Sequence, residues 1–289
     1  MAVVVPATAA AVLFGALAVT VRLGLRRRPD VEAGALVVAL VGCLLAVLVA
    51  APVVAVEGAE LERLWAFALV GAIVPGASQI FYVRAVRDVG AARTAVLIGT
   101  APILSAGLAV VFLDESLSAA LAVGTVAIFL GGALLARERE RPPGFRVAGA
   151  VLALAAAGLF AVRDNVVRWA SVDSGTQPLL AAAVSLAAAA LLLLVYLVVA
   201  RREPPARLVR SAGTAFVPAG VCLGLAYIAL LVALDAGEVT VVAPLNATQS
   251  LWGVILAAAF LPRAEAVGLR LILAAVLVVA GGALVGATR

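Results

Sequence analysis

Histidine and lysine are both missing from this chain of 289 residues. Without histidine there is no ordinary general base, no imidazole for zinc and no Ser-His-Asp constellation. Without lysine there is no phosphate-cradling loop of the Gly-rich, Lys-bearing kind, so this chain alone does not draw on ATP. Cysteine is scarce: Cys43 and Cys222 each sit inside an apolar run, outside any metal-ligand spacing or disulfide framework, and read as small buried hydrophobes. No cofactor and no metal are expected. Charge is scarce as well, at 13% of residues, where a soluble domain carries about 25%.

What fills the chain instead is apolar. Hydrophobic residues make up 65% of it and the mean hydropathy is +1.21. Only a bilayer suits that excess as a solvent. The net charge of +5 does not point to nucleic acid, because every basic residue is Arg and nearly all lie in short clusters between apolar runs. Such clusters set topology and touch lipid headgroups. No basic residue precedes the first apolar run, which is long enough to span, so it is expected to be a retained helix and not a cleaved leader.

A spanning helix needs about 20 mostly apolar residues. Ten runs qualify: 3–21, 33–56, 65–83, 94–113, 117–136, 145–169, 178–200, 212–234, 239–261 and 266–287. The expected fold is an all-α polytopic membrane protein, since lipid leaves no partner for open strands. The stretch Arg137-Glu138-Arg139-Glu140-Arg141-Pro142-Pro143 is charged and proline-broken. It divides the chain into a first five-helix unit over 1–137, a linker over 138–144 and a second five-helix unit over 145–289.

The two units repeat one another. Leu108-Ala109-Val110-Val111-Phe112-Leu113 returns as Leu256-Ala257-Ala258-Ala259-Phe260-Leu261 at an offset of 148. Glu115 and Glu265 follow, then Gly131-Gly132 and Gly281-Gly282, at an offset of 150 once Pro262-Arg263 is inserted. Phe14 and Arg22 fall on Phe160 and Arg168 at an offset of 146, and Gly76 on Gly224 at 148. Five is an odd number of crossings, so the second unit is expected to enter the membrane in the opposite sense, as an inverted-topology repeat. The arginines alternate. Arg22, Arg26–Arg28, Arg84, Arg87, Arg93, Arg137, Arg139, Arg141, Arg146, Arg201, Arg202, Arg207, Arg210, Arg263 and Arg270 fall on one side. Arg63, Arg168 and Arg289 fall on the other, with Arg163 deeper. The positive-inside rule then puts both termini outside.

With this order in place, the chain resembles the EamA branch of the drug/metabolite transporter superfamily. The stretch from Ala92 to Ser118, with Thr100-Ala101-Pro102 midway and Phe112-Leu113-Asp114-Glu115-Ser116-Leu117-Ser118 at its end, is similar to the family's proline-bearing fourth helix and the turn after it. Asp114 stands for the usual Gly and Ser116 for the usual Arg. The second copy, from Gly237 to Glu265, is a looser match, and the paired glycines resemble those of each closing helix. The resemblance implies a plasma-membrane carrier of small metabolites, amino acids or drugs through a cavity between the halves. It also implies cytoplasmic termini, opposite to the arginine count.

Candidate site residues are the polar groups that lipid would not tolerate. Arg163-Asp164-Asn165 lies inside the sixth run, where a charge costs about 2.5–3.5 kcal/mol on insertion scales. Asp164 and Arg168 are four apart and share a helix face. Two readings stand: an interfacial Asp164–Arg168 pair with Arg163 snorkelling, or Asp164 on a cavity wall as a proton or cation relay, with Arg163 binding an anionic substrate group. Asn246, Gln249 and Ser250 share one stripe of the ninth run, with Pro244 before them and Trp252 beyond, and either bond other helices or line the cavity. Gln79 and Tyr227 are equivalent at the offset of 148, and Tyr82 lies beside Gln79. Thr100, like Thr94 and Ser105, is a weaker candidate, since helical hydroxyls commonly bond their own backbone. Pro102 is expected to kink its helix. Glu115 and Glu265 read as helix caps, and Trp65 and Trp169 as interfacial anchors. Small residues at helix-packing spacing, such as Gly124, Ala127 and Gly131, suit close helix approach or a homodimer face.

The reading that absorbs most of these features is a secondary transporter of small organic solutes, working by alternating access and coupled to protons or sodium through Asp164. A non-transporting scaffold or receptor is the alternative. A membrane-embedded enzyme fits least, since it needs catalytic groups gathered at one surface.

Overall fold

The computed structural model describes residues 2–101, 104, 123–124, 126–127, 130–131, 134, 144–171, 175–237, 239–261 and 268–286, and every regular element among them is helical. Seven segments among the described residues are long and apolar enough to cross a membrane. They are α1 (Val4–Arg27); α2 (Val31–Glu57); Leu64–Val89, built of α3 (Leu64–Gly71), a π-helical turn (Ala72–Ala77) and α4 (Ser78–Val89); α6 (Val147–Ser171); α7 (Pro178–Arg201); Pro205–Ala236, built of α8 (Pro205–Ala212), a 3-10 turn (Gly213–Phe216) and α9 (Val217–Ala236); and Val241–Phe260, within α10 (Val239–Ala247) and α11 (Gln249–Phe260). Two more helices are shorter or less apolar: α5 (Ala91–Ile98) and α12 (Leu269–Gly286). Most of the expected fourth and fifth spans, including Pro102, Ser105 and Glu115, lies outside the described residues, as does Glu265.

The starts and stops follow local chemistry. Asp30 caps α2 by accepting the Ala33 N–H at 3.1 Å, satisfying one of the amides a helix start leaves unpaired. Pro178 and Pro205 open α7 and α8, where a missing N–H costs nothing. Gly90, with φ of +94°, turns the chain sharply from α4 into α5.

Packing is inverted relative to a soluble domain. Leu48, Leu191, Val199, Ile255 and Phe260 stand exposed on outer faces, while Gln79, Arg93, Arg163, Asp164, Asn246, Gln249 and Ser250 are buried. α1 lies against α9 and α11, α2 against α7 and α9, α4 against α6, and α5 against α11. Small residues allow the close approaches. A Cβ on Gly71 would collide with the backbone of Ser185 in α7, and one on Gly253 with the side chain of Ala95 in α5. Gly24 and Gly34 together cradle the ring of the fully buried Phe216.

Polar contacts sort the helix ends into two faces. At the first face Arg201, ending α7, donates to both oxygens of Asp30 at 2.7 Å and to Glu32 at 2.9 Å. Arg84 donates to Glu32 at 2.6 Å, Ser211 to Asp30 at 3.2 Å, and the Arg146 amide to the Asp88 carbonyl at 2.9 Å. The Arg201 guanidinium holds the Asp30 carboxyl below the usual carboxylate range, against the opposing effect of its partial burial. At the second face Gln177 donates to Glu57 at 2.8 Å and Arg63 to the Trp169 carbonyl at 3.1 Å. Trp65 and Trp169, the expected interfacial anchors, meet edge to face at 6.2 Å and are both exposed, with Arg63 over the Trp169 ring.

Two arginines cap helix ends in the same way. Arg22, near the end of α1, donates to the carbonyls of Val86 (3.1 Å) and Arg87 (2.8 Å) at the end of α4. Arg168, near the end of α6, donates to those of Leu234 (3.0 Å) and Asp235 (3.2 Å) at the end of α9. The donors are 146 apart and the acceptors 148 apart, the offsets read from the sequence. This corrects one expectation: Arg168 does not bond Asp164. The last carbonyls of a helix carry its negative end and spare acceptor capacity, so they hold the guanidinium; Val86 does so while also accepting the Gly90 N–H at 3.1 Å.

Candidate functional site

The third span breaks midway along its length. Val74 leaves the helical conformation (φ −136°, ψ 112°) and Pro75 has no N–H to donate, so carbonyls near the break lose their helical partners. Tyr227 of α9, fully buried, donates its hydroxyl to the Val74 carbonyl at 2.9 Å. Irregular backbone at this depth is tolerated where protein or a cavity satisfies it, and here a cavity lies alongside.

That cavity is lined by Phe14 and Leu17 from α1, Pro75 from the π-helical turn, Gln79 and Tyr82 from α4, Phe160 and Arg163 from α6, Leu223 and Tyr227 from α9, and Gln249 from α11. Its volume is about 10 Å3, room for about one water molecule. By the sequence offsets, four repeat-equivalent pairs meet across it: Phe14 with Phe160, Leu17 with Arg163, Pro75 with Leu223, and Gln79 with Tyr227. The cavity therefore sits where the two halves face one another.

One of those pairs breaks the repeat. The first half carries Leu17-Ala18 where the second carries Arg163-Asp164. Arg163 is 2% exposed and Asp164 7%. Arg163 donates through Nε to Asp164 Oδ1 at 2.9 Å, and its Nη2 stands in an ion pair 2.8 Å from the same oxygen. Its guanidinium lies 4.9 Å from the ring centre of Phe160, 5.7 Å from Tyr227 and 6.0 Å from Phe14. A buried charge survives only when paired and bonded, and each desolvated cation–π contact adds up to about 2 kcal/mol. Asp164 and three rings together hold this arginine in place. It does not snorkel.

Gln79 is 3% exposed, and its Nε2 has no hydrogen-bond partner. A buried donor left without an acceptor costs about 1–3 kcal/mol, so this amide fits an occupant of the cavity better than an empty one.

The remaining candidates divide. Tyr82 is buried on the cavity wall, and Gln249 joins it there. Ser250 donates to the Ala95 carbonyl at 3.1 Å, a bond between halves. Asn246 is buried with its Oδ1 unpartnered, but it is not among the cavity-lining residues. The single stripe expected for Asn246, Gln249 and Ser250 is interrupted, because the ninth run forms two helices, α10 and α11, on either side of Thr248. Thr100 donates to the Leu97 carbonyl at 2.6 Å, within its own segment. Asn165 donates to the Ala161 carbonyl at 2.8 Å. Trp252 packs against Gly15 of α1. Sequence reasoning did not place Phe14, Leu17, Pro75, Phe160 and Leu223 in the site. Their signal was present, since Phe14 and Phe160 anchor the alignment of the two halves. Among the described residues no three His, Cys, Asp or Glu side chains are grouped so as to hold a metal.

The family model for the EamA-like transporter family matches residues 2–137 and 147–287. No curated protein matches the chain. Seventeen chains of solved structures do. One of them, a crystal structure of a protein with 21% identity, covers 99% of this chain and 96% of its own, with a TM-score of 0.65. That likeness shows the fold alone.

Proposed function

The chain belongs to the EamA-like transporter family, and from that premise we propose that it is a secondary carrier moving small organic solutes across the plasma membrane by alternating access. It is a multi-pass integral membrane protein of a family that is typically transporting. The observation that carries the proposal is the central cavity. It lies between equivalent helices of two repeats, and its one charged lining residue, Arg163, occurs in a single copy. The arginines that cap helix ends recur in both copies, as Arg22 and Arg168 do, whereas the Arg163–Asp164 pair occurs once. A residue pair present once, buried and polar, serves something the scaffold does not need.

Ten spans in two inverted five-helix units, 1–137 and 145–289 about a linker, is the architecture we assign to this carrier. Two features support it. The Arg22 and Arg168 caps lie at opposite faces, although each joins the first and third spans of its own unit. The main contacts also map onto one another when the units are exchanged: α1 on α9 corresponds to α6 on α4, α2 on α9 corresponds to α7 on α3 and the π-helical turn, and α2 on α7 corresponds to itself.

The cavity holds about one water, and bonds between the units close both faces. This is the occluded form of the cycle. Rocking of one unit against the other breaks the Asp30–Arg201–Glu32 group at one face, or the Glu57–Gln177 and Arg63–Trp169 contacts at the other. Gln79, Tyr82, Arg163, Asp164, Tyr227 and Gln249 form the substrate pathway, with Asp164 as the proton relay. Asn165, Asn246, Ser250, Trp252 and Thr100 support it from the adjoining helices. Proteoliposomes bearing the full chain and loaded with a cell-extract mixture test the proposal: protein-dependent efflux of particular solutes is expected. Retention of all of them leaves the scaffold or receptor reading.

A further inference from the structure

We propose that the central site takes small carboxylates by exchange of partners, the ligand's carboxylate replacing Asp164 on Arg163 while Asp164 takes up a proton. One anion and one proton then occupy the site together. The inference rests on the carrier reading above and names its substrate class.

Three observations lead to it. First, the aromatic cage is already occupied by a cation. Phe160, Tyr227 and Phe14 surround the Arg163 guanidinium, so a cationic ligand meets a like charge where its own stabilisation would lie. Second, the existing ion pair is not the best one Arg163 can form. Nε and Nη2 converge on one oxygen, Oδ1 of Asp164, whereas the strongest arginine–carboxylate geometry sets two parallel N–H bonds on two oxygens. Asp164 is adjacent to Arg163 on the same helix and is tethered in this arrangement; a free carboxylate is not. Third, Gln79 supplies an unpartnered amide N–H on the same cavity wall. A carboxylate is acceptor-only, and this site has donors waiting.

The proton follows from charge balance. Arg163 and ionised Asp164 are neutral as a pair. A ligand anion added to them leaves an uncompensated buried charge, which a low-dielectric site does not tolerate. A proton on the displaced Asp164 restores neutrality, and its new O–H gains an acceptor in the incoming carboxylate. Among the described residues no other group nearby is arranged to take that role. α3, the π-helical turn and α10 carry no ionisable residue. On α4, Arg84, Arg87 and Asp88 lie towards the first face, with Arg87 and Asp88 bonded to each other at 2.7 Å. Arg93 on α5 is buried and has a partner of its own. On α9, Tyr227 is engaged with the Val74 carbonyl, and Asp235 stands beside Arg168 at the second face. Tyr82, on the cavity wall, is a neutral phenol at physiological pH.

The purified full chain, titrated calorimetrically with benzoate, benzamide and benzylammonium, tests this. The three probes share a ring and differ in charge. Benzoate is expected to bind at least tenfold more tightly than either of the others. Titration in buffers of different ionisation heat should give uptake of about one proton per benzoate, with affinity falling about tenfold per pH unit above neutrality. D164N should bind benzoate with no proton uptake and a flat pH profile, and R163Q should lose the preference for benzoate. If R163Q fails to fold, the proton count of the unaltered chain still decides. Benzoate binding without proton uptake, equal binding of benzamide or benzylammonium, or no benzoate binding overturns the proposal. A flux assay run in parallel separates this from the parent reading. Flux confined to neutral or cationic solutes overturns the carboxylate assignment alone, and no protein-dependent flux of any solute overturns both.

Discussion

At the scale of single residues, the membrane makes polar groups informative because each one needs a partner. The sequence made Arg163 and Asp164 conspicuous for that reason. It did not show who their partners were. Helical spacing offered Asp164 to Arg168, four residues on, but helix spacing knows nothing of the α9 carbonyls that hold Arg168. The adjacent Arg163 takes Asp164 instead, inside a cage whose rings come from three helices. Losing one partner of a buried pair costs about 3–5 kcal/mol. R163Q should therefore lower stability by about that much in detergent denaturation, and R163Q/D164N should recover part of the loss. A double variant no more stable than R163Q would show that the pair is not coupled. Asp30 gives a second test. Its carboxyl is held below the usual range by Arg201, so its stabilisation is complete above the unfolded value of about 3.9. That contribution fades as pH falls through the lower, folded value. Thermal melting below pH 5 should show a steeper loss in the unaltered chain than in D30N, and parallel curves would refute the assignment.

At the scale of elements, some helix boundaries were legible within two residues, while the first and third spans run on to Arg27 and Val89, six residues past the expected 21 and 83. The expected 178–200 is Pro178–Arg201, and 33–56 is Val31–Glu57. Hydrocarbon thickness sets the length, and Arg, Gly and Pro mark the ends. Breaks inside spans were less legible. The π-helical turn around Pro75 was not expected from the sequence, and the group that satisfies its Val74 carbonyl, the Tyr227 hydroxyl, arrives from the distant α9. The division at Thr248 had no clear sequence signal. Glycines differ in the same way, since the sequence does not say which of them faces a backbone. Gly71 lies against the Ser185 main chain, whereas among the described residues a Cβ on Gly158 would meet only the tip of Leu104 at 3.9 Å. G71A should cost about 1–3 kcal/mol by overpacking, and G158A should be neutral or slightly stabilising through helix propensity. Melting temperatures of the two variants check this, and equal values would mean that α3 and α7 can separate without penalty.

At the scale of the whole molecule, duplication located the seam before any coordinates did, and the cavity lies on it. The proposed alternating access makes motion testable. With Cys43 and Cys222 replaced by serine, a short reducible thiol cross-linker joining E57C to Q177C should hold the second face shut and abolish flux, and reduction should restore it. Undiminished flux through the linked protein would refute rocking at that face. The paired arginine caps carry a further consequence. Each steadies the membrane face opposite the other's, with the same donor and the same kind of acceptor. If the chain is the carrier proposed above, it should behave like a balance with matched weights. Lightening one pan by R22Q and the other by R168Q should tip the resting ratio of inward-open to outward-open molecules in opposite senses, and the double variant should bring the beam back towards level.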